Sequence, residues 1–172
     1  IIEIDPGMSF GTGNHGTTKA CLQFLDEIDA QLTGRTFFDM GCGSGILSMG
    51  ASKLGYRDIE AFDYDADAVR IAQENLALSK CEGVHVFQQD LSTFDAGKKF
   101  DVVIANILAV VLNANAARII AALKEGEDSR LGLSGILHEQ YDEIKTTFEN
   151  LGLKEIQRKE IGEWSSGLFV WK

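Results

Sequence analysis

Phe37-Phe38-Asp39-Met40-Gly41-Cys42-Gly43-Ser44-Gly45-Ile46-Leu47 is the stretch whose reading decides the fold. The two aromatic residues read as part of a buried strand, three glycines at alternate positions follow, and Ile46-Leu47-Ser48-Met49-Gly50-Ala51 opens a helical pattern. A glycine-rich turn between strand and helix lets a ligand lie against bare backbone, with free N–H groups offered by the helix start. The next apolar run, Ile59-Glu60-Ala61-Phe62, ends at Asp63, 22 residues beyond Gly41. An acidic residue at the tip of the second strand can accept both ribose hydroxyls of a nucleoside. These features together predict a nucleoside cofactor.

The glycine spacing narrows the choice. A dinucleotide site uses G-x-G-x-x-G, whose third glycine permits close helix–strand packing. Here the order is Gly41-x-Gly43-x-Gly45, and Ile46 stands where that third glycine would be. No G-x-x-x-x-G-K-[ST] phosphate cradle occurs either. Asp39, just ahead of the glycines, could accept hydrogen bonds from loop N–H groups or from a cationic amine. A ligand with an amino acid moiety and no pyrophosphate suits it better than NAD does. The pattern resembles motif I of class I S-adenosylmethionine (SAM) methyltransferases.

Composition sets the outer bounds. The 172 residues are read as one domain, 1–172, large enough to bury a single core. With 45% hydrophobic and 24% charged residues the balance is that of an ordinary globular protein. No apolar stretch reaches membrane-span length, so no membrane partner is expected. Cys21, Cys42 and Cys81 are odd in number and far apart, which argues against disulfides and zinc and for a reducing, cytoplasmic setting. Cys21 reads as a buried, inert thiol. The net charge of −10 argues against direct nucleic-acid binding and for a basic partner, although it could also serve solubility alone.

Elsewhere strands and helices alternate, as in a doubly wound α/β sheet. Helices are expected over Thr17–Ile28, Ile46–Leu54, Ala66–Leu78, Ala109–Leu123 as one long element, and Glu139–Leu151. Strands are expected at Val84–Phe87, Phe100–Ala105 and Arg130–Ile136. Two more, Lys154–Glu160 and Leu168–Trp171, are expected to flank a seven-residue loop over 161–167. The expectation is a seven-stranded, mostly parallel sheet with an antiparallel C-terminal strand.

Further segments carry a sharper likeness. They are Asp5-Pro6-Gly7-Met8-Ser9-Phe10-Gly11-Thr12-Gly13-Asn14-His15, then Ala105-Asn106-Ile107-Leu108, Leu133-Ser134-Gly135-Ile136-Leu137 with Gln140, and Glu163-Trp164. In this order, and over nearly all 172 residues, they resemble the PrmA family, which trimethylates amino groups of the eleventh large-subunit ribosomal protein. The resemblance implies SAM as cofactor, S-adenosylhomocysteine as product and a ribosomal protein of basic character as substrate. It implies cofactor contacts at Thr18, Gly41, Asp63 and Asn106, with Gly43 in the same turn and Phe10 covering the cofactor. It also implies a small upstream substrate-recruiting domain, expected to lie outside these residues; a monomer is expected.

Some positions depart from the family pattern. Gly16 replaces proline or glutamate, suggesting a looser entry to the first helix. Residues 124–129 replace a proline-glycine-glycine turn, and the tail Leu168–Lys172 is more apolar than the usual basic end.

Several residues keep two readings. Asp90, after the third strand, either meets the adenine amine or only shapes a turn. His15 either has a role at the site or is a loop histidine. His85 and His138 are read as structural, and Trp164 as packing or as an aromatic beside a substrate channel. Asn-Ile-Leu lacks the proline and aromatic of the N-P-P-Y motif, which speaks against DNA, RNA or glutamine methylation. No general base is assigned. The alternatives are the same core acting on another protein lysine or a small molecule, and a SAM-binding domain without activity or a dehydrogenase-like nucleotide binder.

Overall fold

The computed structural model describes residues 15–172; Asp5–Asn14, including the expected cofactor cover Phe10, lie outside the described residues. Seven strands form one sheet: β1 Thr36–Met40, β2 Arg57–Asp63, β3 Val84–Gln88, β4 Val102–Asn106, β5 Arg130–Leu137, β6 Leu153–Ile161 and β7 Trp164–Trp171. Their order is β3-β2-β1-β4-β5-β7-β6. All neighbours pair in parallel except β7, which runs antiparallel to both β5 and β6. This is the expected sheet.

Side-chain alternation along β1 divides the core. Phe37 packs with Cys21, Phe24, Leu25, Leu47 and Met49, the apolar faces of α1 Gly16–Gln31 and α2 Ile46–Leu54, near those of α3 Ala66–Leu78. Phe38 and Met40 face the other layer, built by α4 Ala109–Ala114, α5 Ala116–Ala121 and α6 His138–Asn150. Phe38 there touches four other rings, Phe62, Phe87, Phe94 and Phe100, at centroid separations of 4.6–6.5 Å. The crossing of strand order between β1 and β4 opens a crevice at the carboxyl ends of the strands.

Two expectations are corrected. The single helix over 109–123 is two short helices broken at Asn115, whose side-chain amide donates to the Val111 carbonyl at 2.9 Å. That local bond competes with the regular ladder. The seven-residue loop over 161–167 is a tight hairpin, since β6 and β7 are separated only by Gly162-Glu163.

The departures from the family pattern have local causes. Gly16 opens α1 under an N-cap from His15, and a Cβ there would lie 3.0 Å from the Ile161 carbonyl oxygen. The helix entry is therefore capped and closely packed. The apolar tail belongs to β7, flanked by strands on both sides, with Leu168, Phe169 and Val170 buried. Residues 124–129 are tied down by Arg35–Asp128 and Lys99–Glu125 ion pairs at 3.4 and 3.7 Å.

Candidate active site

The glycine turn is held by its own backbone. The N–H groups of Gly41 and Cys42 both donate to the Phe62 carbonyl at 2.9 Å, and Gly45 N–H donates to Cys42. Gly41, Gly43 and Gly45 have φ of 74°, 51° and 82°, a left-handed region that side chains resist. From α3, the Asn75 amide donates to the Ser44 carbonyl at 3.0 Å. Gly45 at the N-cap of α2 makes no side-chain cap bond of its own.

Asp63 is the clamp on this turn. Its Oδ2 accepts from the Gly43 N–H at 2.9 Å, and its Oδ1 accepts from the Asp65 N–H at 3.0 Å. Each oxygen keeps acceptor capacity, because a carboxylate offers about four lone-pair sites. Capping of α3 falls instead to Asp65, whose side chain accepts from Asp67 N–H.

Around these groups lies a cleft of about 480 Å³. Thr18, Gly41, Gly43, Asp63, Asp90 and Asn106 all line it, so six of the seven expected cofactor residues are brought together, and Phe10 lies outside the described residues. Thr18 reaches it from the first turn of α1, where it is buried. Asn106 ends β4, in register with Ser134 of β5. Asp90 does shape a turn, its Oδ1 accepting from the Ser92 hydroxyl and N–H, and these bonds lower its carboxyl below the usual range. Its place in the cleft wall means that the two readings of Asp90 are compatible.

Sequence reasoning missed much of the apolar wall: Ile46, Leu47, Phe62, Leu91, Leu108 and Val111. Leu108 and its cleft neighbour Tyr64 are large and exposed just beyond strand ends, a feature that only the fold reveals. Asp39 is a correction. It does not receive the loop N–H groups, which go to Phe62 and Asp63; it is fully buried and accepts from the Ser48 hydroxyl at 2.7 Å.

A second cavity, about 290 Å³, is lined by His15, Thr17, Asn106, Ile107, Leu108, Gly135 and Trp164. It shares Asn106, Ile107 and Leu108 with the cleft, so the two spaces adjoin across that tripeptide. His15 caps α1, its Nδ1 accepting from Thr17 N–H at 3.3 Å, and its ring lies 5.0 Å from that of Trp164. His138 bonds Ser165 at 2.6 Å and the Gly162 carbonyl at 2.9 Å, a structural tie between α6 and the hairpin. His85 stacks on Phe87 at the sheet edge. Cys21 is fully buried, and burial pushes its thiol up to about 12, as an inert core cysteine requires.

The cleft lining itself selects among ligands. It contains two carboxylates and, among the described residues, no lysine, arginine or histidine. A pyrophosphate there would face like charge with no counterion, whereas a cationic nucleoside would face its complement. The donor set thus fits SAM and disfavours a dinucleotide.

The family model for ribosomal protein L11 methyltransferase (PrmA) matches residues 1–170. The ribosomal protein L11 methyltransferase of Caldanaerobacter subterraneus subsp. tengcongensis is 44% identical over the whole chain, which covers 54% of that protein. That of Geotalea daltonii is also 44% identical, with 96% of this chain and 54% of the relative covered. The chain thus spans about half the length of the curated relatives it matches. A crystal structure of ribosomal protein L11 methylase from Lactobacillus delbrueckii subsp. bulgaricus superposes with a TM-score of 0.88 at 31% identity, covering 99% of this chain and 85% of that one. The N-methyltransferase NodS from Bradyrhizobium japonicum, crystallised with S-adenosyl-l-homocysteine, shares the fold alone, with a TM-score of 0.72 at 12% identity over 91% of this chain and 88% of that one. With its sheet order, glycine turn and matched length taken together, the chain belongs to the ribosomal protein L11 methyltransferase (PrmA) family.

Proposed function

We propose that residues 1–172 are the catalytic domain of a SAM-dependent protein methyltransferase that modifies lysine and N-terminal amines of ribosomal protein L11. The observation that carries this reading is the joining of two cavities at Asn106–Leu108: a carboxylate-lined nucleoside cleft and a narrower side channel. Asp63 would hold the ribose hydroxyls and Gly41 and Gly43 would admit the ligand to the backbone. Thr18 and Asp90 would contact its two ends, and Phe10 would cover it. SAM supplies an activated methyl on a sulfonium for in-line attack by a neutral amine.

The chain's share of the work is to align the amine and keep it unprotonated. A free lysine has a pKa of about 10.4, so neutrality at pH 7 costs about 4.6 kcal/mol. The side channel is walled by Ile107, Leu108 and Trp164, and an amine desolvated there loses much of that preference for its proton. The Asn106 side-chain carbonyl can then orient the lone pair toward the cleft. His15 accepts a hydrogen bond at Nδ1 from Thr17, which leaves that nitrogen engaged and assigns it no base role.

The −10 net charge favours a basic partner over nucleic acid, and a ribosomal protein is such a partner. No described helix is long and apolar enough to cross a membrane. We read the setting as cytoplasmic and the working unit as a monomer, with an upstream domain recruiting the target. The reading is tested by supplying methyl-labelled SAM together with purified L11 or a whole lysate. Label in L11, faster when the upstream domain is attached, supports it; label only in another species would replace the substrate. Asn106→Ala is expected to lower turnover by about 10²-fold, the scale of lost alignment of reacting atoms, with a smaller loss of SAM affinity from the missing cofactor contact. Initial rates and calorimetry on the same variant check this.

A further inference from the structure

Asp39 occupies a core position. Alternation along β1 puts it on the face of Phe37, against α1 and α2, and it has no exposed surface. Its Oδ2 accepts from the Ser48 hydroxyl, while its Oδ1 has no hydrogen-bond partner among the described residues. Every element packed on it offers either a neutral group or another acid. Ser48 faces it from α2, the Cys21 thiol from α1, Cys42 from the glycine turn, and Asp63 from the end of β2. Its strand partners Ala61 and Ile104 carry no charge.

An ionised carboxylate in such a place has no formal counter-charge, only the Ser48 hydroxyl and backbone N–H in the first turn of α2, and such burial favours the neutral acid. Burial pushes the Asp39 carboxyl up to about 7, with the Ser48 bonds opposing the rise and the Asp63 charge adding to it. The two neighbouring thiols do not compete for this role, because burial pushes both of them up and keeps them protonated. Cys42, which feels the Asp39 charge, and Asp63, whose charge Asp39 feels, both line the cleft. Charge placed in the cleft therefore reaches Asp39 across one residue of turn, through a poorly screening interior.

We propose that Asp39 is a neutral acid in the ligand-free protein and loses its proton when a cationic nucleoside enters the cleft. This rests on the SAM reading above. The carboxyl O–H bond breaks, its electron pair stays on the carboxylate, and the proton passes to bulk buffer. Ionised Asp39 then supplies the charge that the cationic ligand meets, so cofactor affinity rises with pH through the neutral range. The sign follows from linkage: the ligand-bound state holds fewer protons, so raising the pH favours it.

The test is calorimetric titration of SAM at pH 6.5 in phosphate and in Tris, whose ionisation enthalpies differ. More than about half a proton is expected to be released per SAM bound, with affinity rising roughly 5- to 10-fold between pH 6 and pH 8. Asp39→Asn is expected to release none and to bind SAM with a flat pH profile. 5′-Methylthioadenosine, which lacks the sulfonium and the ammonium, is expected to release almost none from the unaltered protein. SAM binding without proton release, or equal release from Asp39→Asn, overturns the inference and leaves the SAM reading standing. Absence of SAM binding overturns both. Should the variant fail to fold, the Asp39 ¹³Cγ titration in the unaltered protein decides. A midpoint that falls by at least about one pH unit on adding SAM supports the inference, and an unmoved midpoint refutes it.

Discussion

Gly43→Val is expected to abolish detectable SAM binding and leave a folded domain. Gly43 has φ of 51°, where a β-branched residue costs about 1–3 kcal/mol of strain. It lines the cleft, so the new methyl groups also fill ligand space. Its N–H is the donor that fixes Asp63 Oδ2, and a shifted backbone releases that carboxylate from its place. The three effects act on one site and together amount to a loss of at least ~100-fold in affinity. The sheet core lies elsewhere, with Phe38 and Phe37 buried on either face of β1, so circular dichroism and a cooperative melt are expected to survive. Binding retained within about tenfold would contradict this role for the turn.

Gly135→Ala is expected to destabilise the fold strongly. Gly135 has φ of 81°, and a Cβ there would sit 2.3 Å from the Ile107 carbonyl oxygen, 2.8 Å from its carbon and 3.1 Å from its nitrogen. All three are backbone atoms, so no side-chain rotation relieves the overlap. Strain and overlap together are expected to cost roughly 3 kcal/mol or more. Ile107 can yield only by moving the Asn106–Leu108 segment, whose N–H bond to the Ser134 carbonyl at 3.2 Å would go with it. That segment joins the two cavities, so turnover should fall further than SAM affinity. Chemical denaturation and initial rates on one preparation measure both.

Legibility in the sequence followed the physics of each element. The bounds of α2 and α3 were readable because their ends carry local signals: glycines at Gly45 and Gly55 in left-handed conformation, and Asp65 as an N-cap. The break at Asn115 was not, since apolar periodicity runs through it and the cause is one amide bonding back to Val111. The start of β7 was hidden for a different reason. Trp164-Ser165-Ser166-Gly167 lacks an apolar alternation, yet Ser165 and Ser166 are buried, paired with His138 and Ser134 at 2.6 Å each. Long-range partners of this kind, 27 and 32 residues away, leave no local trace.

The site shows the same division. Spacing alone placed Asp63 opposite the glycines, but not that it clamps the turn through Gly43. Family likeness pointed to Thr18 and Asn106, and the fold brings both to the cleft wall from elements 88 residues apart. The apolar wall and the side channel depend on how α1, the β4 end and the β6–β7 hairpin meet, which no window of sequence contains.

The central claim is that the cleft is a site for a cationic nucleoside anchored by Asp63. Calorimetric titration of the 172-residue chain and of Asp63→Ala, each with SAM and with NAD, tests it most directly. The account predicts that the unaltered chain binds SAM and not NAD. It also predicts that Asp63→Ala weakens SAM by roughly 1.5–3 kcal/mol, the range for hydrogen bonds to a charged acceptor. NAD binding as tight as SAM, or SAM affinity unchanged in Asp63→Ala, would contradict it.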